Sequence, residues 1–466
     1  MVFSSISFIF FFLPVFFLCY YLLRRKWRVG FLLFASLIFY SWGELKYLPL
    51  MVTVIAVNYL FALFTERFPA RKRLFLILAV AFDILSLFFY KYFTPLAVNV
   101  LRLPRFGFFP SSLPLGISFF TFQAMSYVID VYRGTTKAQR NPLIFGTYIT
   151  MFPQLIAGPI VRYSDIETQI NGLAAGTQRI DPKNVSDGIG IFLIGLSKKV
   201  LLGNMIGEAW QFLSANPADL GILGSWFGAF CYTLQIYYDF SGYSDMAIGL
   251  GRMMGFSFPQ NFDHPYTATS VTDFWRRWHM TLSGFFRDYV YIPLGGSRRG
   301  TARTILNMFI VWALTGLWHG ASITFVIWGL YYWVFLVLER FVFRRVLDKI
   351  PAWIRTVLLF PVFSAGWVIF YFDDFSEMGR YFAGMFRFAA PVVGTDALSV
   401  VASYWVWFVL GLLCAGYLPQ KLFRAIERKK PVLASVCRVI GLTVLFLLCI
   451  AALVRQSYNP FIYFRF

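Results

Sequence analysis

Charge is scarce in this 466-residue chain: Asp, Glu, Lys and Arg make up 14% of it against 59% hydrophobic residues, which excludes an ordinary soluble domain. Histidine is scarcer still, with three in the whole chain, His264, His279 and His319. The five cysteines (Cys19, Cys231, Cys414, Cys437 and Cys449) all lie in apolar stretches without CxxC or metal-type spacing. They read as small buried hydrophobes, and no disulfide framework is expected. HExxH and H-x3-H are missing, so no metal site is expected. GxSxG is missing too, and the membrane serines lack a local base and acid, which argues against nucleophilic serine chemistry. Without a Gly-rich phosphate loop, ATP-driven transport has no motif to stand on. There is no low-complexity segment and no internal repeat at a fixed period, so one domain over 1–466 is the economical reading.

What the chain has is aromatic and aliphatic runs long enough to cross a bilayer as helix. The clearest are 5–23, 48–64, 74–93, 143–161, 188–206, 222–250, 304–318, 322–342, 353–372, 399–417 and 432–454, with shorter runs at 29–43 and 113–131. The fold class is therefore all-α, a polytopic integral membrane protein of about 11 to 13 membrane segments, some of them re-entrant. The first run has no basic residue before it and Arg24, Arg25, Lys26 and Arg28 after it, the reverse of a cleavable signal. It is expected to be a retained span with its N-terminus outside. Arg71 to Arg73, Arg298-Arg299-Arg303, Arg340 to Lys349 and Lys421 to Lys430 then fall on the cytoplasmic side. The formal charge of +20 is thus mostly loop bias, and no nucleic-acid partner is expected.

Residues 94–116 and 373–398 read as outer loops, whereas 255–303 is the longest semi-polar stretch. Pro259 and Pro265 stop helix there, and Ser270-x-x-Asp273 has capping-box spacing for a helix start. Asp273 precedes Arg277 by one helical turn, the favourable order for an ion pair. Trp275, Trp278, His279, Leu282 and Phe286 then share one helical face, with Arg276, Ser283 and Arg287 along another. An amphipathic re-entrant or interfacial helix fits, its polar face turned into protein or a wet cavity, because lipid would penalise it.

His319 interrupts an apolar span between Gly316 and Gly320. It either hydrogen-bonds neighbouring helices for structure or acts on a substrate, and the glycines, which admit a substrate or another backbone, favour function. His279, among tryptophans and arginines, either anchors an interfacial helix or is functional. His264, in an Asp-His-Pro-Tyr turn, reads as a turn residue. An imidazole neutral near pH 7 is a candidate general base for a hydroxyl attacking an activated acyl group, so the chemistry to suspect is acyl transfer. Asp83, Asp239 and Asp245, set in apolar stretches, would instead favour a polar-solute transporter. A non-catalytic assembly scaffold is the third reading.

The passage NFDHPYTATSVTDFWRRWHMTLSGFFRDYVYIPLGG, followed by GLWHGASITFVIWGL, resembles the membrane-bound O-acyltransferases. PLGISFFTFQAMSYVIDVYRG, FPQLIAGPIVRYSDI, QIYYDFSGYSDMAIGLGRMMGF, the opening MVFSS and the closing NPFIYFRF are similar to that family's bacterial alginate O-acetylation branch. The resemblance implies helices around a central tunnel, with a catalytic core at about 110–345. It implies His319 as the principal catalytic residue and His279 as a supporting histidine nearer the cytoplasm. Two departures, Ile323-Thr324 and Tyr332-Trp333, leave both histidines in place.

It further implies a bacterial cytoplasmic (inner) membrane enzyme with no permanently bound cofactor. Such an enzyme takes acetyl from cytosolic acetyl-CoA and passes it to an extracytoplasmic SGNH or serine-hydrolase-like acetyltransferase. The final acceptor would be an exported polysaccharide: alginate-like, cellulose or peptidoglycan. Arg276, Arg277, Arg287, Arg298 and Arg299 are candidate contacts for coenzyme A phosphates, with lipid anchoring the competing role. Asn261, Asp273, Trp275, Trp278, Asp288 and Tyr289 complete the candidate binding set. The alternative within the superfamily is transfer of D-alanine from a carrier protein to teichoic acid.

Overall fold

The computed structural model describes residues 2–104, 110, 112–215, 220–386, 392–455 and 462. Among them there is helix and no strand, as the repeated apolar runs predict. Seven helical stretches among the described residues are long and apolar enough to cross a bilayer: Arg25–Arg67, Pro69–Phe93, Pro182–Ala215, Ile323–Leu347, Ala352–Tyr371, Thr395–Ala415 and Pro431–Arg455. Phe8–Leu22 is a shorter apolar helix. The chain is a multi-pass membrane protein. Exposed side chains along the spanning helices are largely apolar, such as Val439, Ile440 and Leu447, the surface that lipid requires.

Two compact units divide the chain, Met1–Phe192 with Tyr243–Gln260, and Leu193–Gly242 with Asn261–Phe466. The first contains α1 (Leu13–Leu22), α2 (Arg28–Glu44), α3 (Leu48–Arg67), α4 (Lys72–Phe88), α5 (Ile117–Arg133), α6 (Pro142–Thr150), α7 (Phe152–Leu155), α8 (Tyr163–Ala174) and most of α9 (Pro182–Ser197). α5 is buried on nearly all sides, which is why it carries Gln123, Ser126 and Asp130 without meeting lipid. A phenylalanine cluster of Phe3, Phe8, Phe39 and Phe152 fills the unit's core. Asp83 on α4 is buried and accepts a hydrogen bond from Asn58 of α3 at 2.8 Å, so this carboxylate serves helix packing. The run at 143–161 is not one span: it breaks at Met151 between α6 and α7, and after α7 residues 156–161 are not helical.

The second unit contains α10 (Asn204–Ala215), the start of α11 (Gly221–Met254), α12 (Val271–Arg277), α13 (Met280–Phe286), α14 (Thr301–His319), α15 (Ile323–Leu338), α16 (Arg344–Leu347), α17 (Ala352–Tyr371), α18 (Phe375–Phe386), α19 (Thr395–Ala415), α20 (Leu418–Lys429) and α21 (Pro431–Arg455). Residues 373–398, expected as a loop, hold α18. α11 and α14 are helical as expected but fall outside the seven apolar stretches, because α11 carries Gln235 and Asp239 and α14 carries Arg303, Asn307 and His319. Lys199 and Asp239 form a buried ion pair, with Asn204 accepting from Lys199 at 2.8 Å. The Ile462 N–H donates to the same carboxylate at 2.8 Å. The rest of the closing NPFIYFRF lies outside the described residues. All five cysteines are free, and Cys437 is exposed on α21 rather than buried, facing outward along a lipid-type surface. α20 is amphipathic, with exposed Leu418, Leu422 and Ile426 against Lys421, Arg424, Arg428 and Lys429, the composition of a helix lying in a membrane surface.

Candidate active site

Local sequence starts the site at Ser270, whose side chain accepts from Asp273 N–H at 3.0 Å and caps α12. Asp273 pairs with Arg277 at 2.8 Å as expected, but its carboxylate accepts from Thr269 N–H at 3.2 Å, one residue before the N-cap, so only the Ser270 half of the expected capping box forms. A second anchor comes from Glu339 at the end of α15, whose carboxylate accepts the Val271 and Thr272 N–H groups. A negative charge there opposes the positive end of the helix.

The expected continuous helical face does not persist through 271–286. α12 ends at Arg277, and His279 adopts a left-handed backbone with φ 44° before α13 begins. Neither Gly nor Pro marks the break; long-range pairing imposes it. Asp263 N–H donates to Arg277 carbonyl and Met280 N–H to Asn261 carbonyl, both at 2.9 Å, so residues 261–263 grip the chain on both sides of His279. His264 is also left-handed, with φ 45°, in the turn expected of it, and its ring lies against Tyr417.

A cavity of about 240 Å³ opens between these short helices and α14. It is lined by Thr272, Trp275 and Arg276 of α12, Trp278 and His279 at the break, and Leu282, Ser283 and Phe286 of α13. α13 passes into a wider π-helical turn, Arg287–Tyr291, which adds Arg287 and Tyr291. From α14 come Met308, Val311, Trp312, Thr315 and His319, one face at spacings of three and four residues, and Leu336 of α15 completes the wall. Both histidines therefore line one cavity. Trp318 packs edge-on to each, with ring centroids 6.0 Å from His279 and 4.9 Å from His319.

His319 is the last residue of α14 and is 5% exposed, held edge-on by Trp328 at 5.1 Å and Phe370 at 5.0 Å. Of the glycines beside it, Gly316 serves backbone approach by α15, and Gly320 makes room for the Phe325 ring. A Cβ on Gly316 would strike the Phe325 carbonyl oxygen, and one on Gly329 the Trp312 carbonyl oxygen, so α14 and α15 pack with almost nothing between them. His279 lies between two helices too short to span and is 2% exposed. Burial pushes its imidazole down from the ordinary value of 6.5 to about 3, which makes it neutral at physiological pH. The cavity thus offers two imidazoles among aromatic walls, with the exposed guanidinium groups of Arg276 and Arg287 at its edge.

The remaining sequence candidates are sorted by this geometry. Trp275, Trp278, Arg276 and Arg287 line the cavity, and Asp288 holds Arg287 by two bonds of 2.7 and 3.1 Å. Arg277 does not line it; its guanidinium is taken by Asp273 and by Tyr417 Oη at 2.9 Å. Tyr289 packs on Phe285, Arg298 and Arg299 are exposed beyond the cavity, and Asn261 lies behind His279. Met308, Val311, Trp312 and Thr315 were not anticipated, although their spacing back from His319 marks a common helical face. Asp83, Asp239 and Asp245, the carboxylates that would favour a transporter, line no part of it; Asp83 is bonded to Asn58 and Asp239 is paired with Lys199.

Residues 139–373, which include every wall residue of the cavity, match the family model for MBOAT, membrane-bound O-acyltransferase. Across its whole length the chain is 38% identical to the whole of a probable alginate O-acetylase AlgI of Pseudomonas putida. It is 36% identical to a peptidoglycan O-acetyltransferase of Helicobacter pylori over 83% of this chain and 80% of that one. A teichoic acid D-alanyltransferase of Bacillus subtilis is 30% identical over 56% of this chain and 68% of its own. The chain belongs to the membrane-bound O-acyltransferase family and is an acyltransferase.

Proposed function

We propose that this chain takes acetyl from cytosolic acetyl-CoA and delivers it across the bacterial cytoplasmic membrane for O-acetylation of an exported polysaccharide. The observation that carries the reading is the meeting of His279 and His319 in one aromatic cavity edged by Arg276 and Arg287. Full-length similarity to an alginate O-acetylase supports acetyl over D-alanine, since the D-alanyl relative matches over about half of this chain. Alginate and peptidoglycan, the polymers in the relatives' names, are the acceptor classes to test first.

In the proposed reaction His319 accepts the proton of the attacking hydroxyl as its oxygen bonds to the thioester carbonyl carbon. The carbon–sulfur bond then breaks, and the proton passes from His319 to the departing coenzyme A thiolate. His279 orients the reacting groups. Arg276 and Arg287 complement the phosphates of the donor. The hydroxyl belongs to an extracytoplasmic serine-hydrolase-like acetyltransferase, which carries acetyl onward to the glycan.

Purified protein in detergent, offered radiolabelled acetyl-CoA with and without such a partner, tests this. Label should appear on the partner or on an added polysaccharide. Transfer of D-alanine from a carrier protein, with no acetyl transfer under the same conditions, would refute the proposed donor.

A further inference from the structure

Asn261, 0% exposed and set behind the cavity wall, does something more specific than bind substrate. Its Oδ1 lies 3.3 Å from the Thr281 backbone nitrogen, 3.0 Å from Thr281 Oγ1 and 3.1 Å from His279 Nδ1. A backbone N–H can only donate, so the amide atom facing Thr281 must be the carbonyl oxygen, and the side-chain orientation is fixed by chemistry. That oxygen can only accept. His279 Nδ1, which meets the same oxygen, must therefore carry the proton.

From this we infer that Asn261 is a positioning residue that locks neutral His279 into the Nδ1–H tautomer, leaving the Nε2 lone pair as its one basic site. The inference rests on the acyl-transfer reading of the cavity for its consequence and on the hydrogen bonds alone for the tautomer. In water a neutral imidazole favours the opposite form, with the proton on Nε2, so the amide selects the minor tautomer. Two backbone bonds make the lock firm: the Asn261 carbonyl accepts from Met280 and the Asp263 N–H donates to Arg277, each at 2.9 Å. They hold the left-handed His279 against the segment that carries the amide. The division of labour follows directly. The attacking hydroxyl gives its one proton to His319, so His279 can only accept at Nε2, from an N–H or O–H of the bound donor, and it cannot donate from Nε2 to the thioester carbonyl without first being protonated.

With three histidines in the chain, histidine-selective 13C and 15N labelling gives a spectrum simple enough to assign, using His264→Gln and His279→Gln to identify the signals. Full-length wild type in lipid nanodiscs should show His279 protonated at Nδ1 and bare at Nε2. A wild-type His279 protonated at Nε2 overturns the inference. Asn261→Leu, similar in shape but without the oxygen, should move the proton to Nε2. Its kcat should fall on the order of 10²- to 10⁴-fold, the range seen when an orienting partner or a tautomer is lost, with the KM for acetyl-CoA near wild type. Asn261→Asp keeps the acceptor, so it should keep the Nδ1–H form and restore most of the rate. Its carboxylate raises imidazole basicity, so the acid limb of the pH profile should move to higher pH.

Retention of Nδ1–H in Asn261→Leu overturns the inference. A switched tautomer with an unchanged rate upholds the lock and removes His279 from the chemistry instead. Should Asn261→Leu not fold, the wild-type and Asn261→Asp spectra decide the matter, and an Nε2–H form in either contradicts the lock.

Discussion

At the scale of single residues, the arginines around the cavity have separate duties. Arg276 and Arg287 border the cavity, whereas Arg277 is tied to Asp273 and Tyr417. Arg276→Ala and Arg287→Ala should each raise the KM for acetyl-CoA by roughly 10-fold, the loss of one charge-assisted contact worth about 1.4 kcal/mol. Arg277→Ala should leave that KM alone and lower stability by about 1 kcal/mol, as a partly exposed ion pair and a guanidinium–hydroxyl bond are lost. Steady-state kinetics and thermal unfolding of the three variants separate the duties. Buried His279 also couples folding to pH. Its folded value of about 3 lies below the unfolded 6.5, so the unfolded chain takes up the proton first as pH falls. Its contribution is complete above pH 6.5 and is lost as pH falls toward 3, at up to about 1.4 kcal/mol per pH unit. Thermal unfolding between pH 7 and pH 5 should therefore show a shallower decline in His279→Gln than in wild type.

At the scale of elements, the cavity depends on two joints. The first is the Glu339 carboxylate on the α12 N-terminus. Glu339→Ala should cost about 1–2 kcal/mol as both donors lose their acceptor. It should also lower kcat, because α12 carries Thr272, Trp275 and Arg276 into the cavity wall, and thermal unfolding beside acetyl transfer reads both. The second joint is the α14–α15 contact at Gly316 and Gly329. Gly316→Ala and Gly329→Ala should each destabilise by roughly 1–3 kcal/mol through overpacking. Most elements were legible in the sequence because a bilayer demands long apolar helix and little else. Periodicity failed where tertiary contacts override it. Nothing local announces the break at His279, since the two backbone hydrogen bonds to Asn261 and Asp263 that hold it come from outside the helical run. The run at 143–161 is likewise apolar enough to span yet breaks at Met151, in a segment buried by protein. The two histidines were legible as a pair only through the family resemblance, because residue type alone left each open to a structural role. The wall of α14 was available from the spacing of Met308, Trp312, Thr315 and His319, but it needed the cavity to give those positions a meaning.

At the scale of the whole molecule, the proposed export of acetyl requires opposite faces for donor and acceptor. The basic segment at Arg298 should lie in the cytoplasm and the segment at Ser376 outside. In a background lacking the five native cysteines, Ser376→Cys should react with a membrane-impermeant maleimide on whole cells, and Arg298→Cys only after permeabilisation. The reverse pattern would invert the proposed direction of transfer. The central claim, that His319 takes the proton in acyl transfer within the shared cavity, is tested most directly by rapid-quench single-turnover measurement with labelled acetyl-CoA on wild type and His319→Ala. The variant should fold, bind acetyl-CoA with near wild-type affinity and lose at least about 10²-fold in the transfer step. A folded His319→Ala that transfers acetyl at the wild-type rate would contradict that claim.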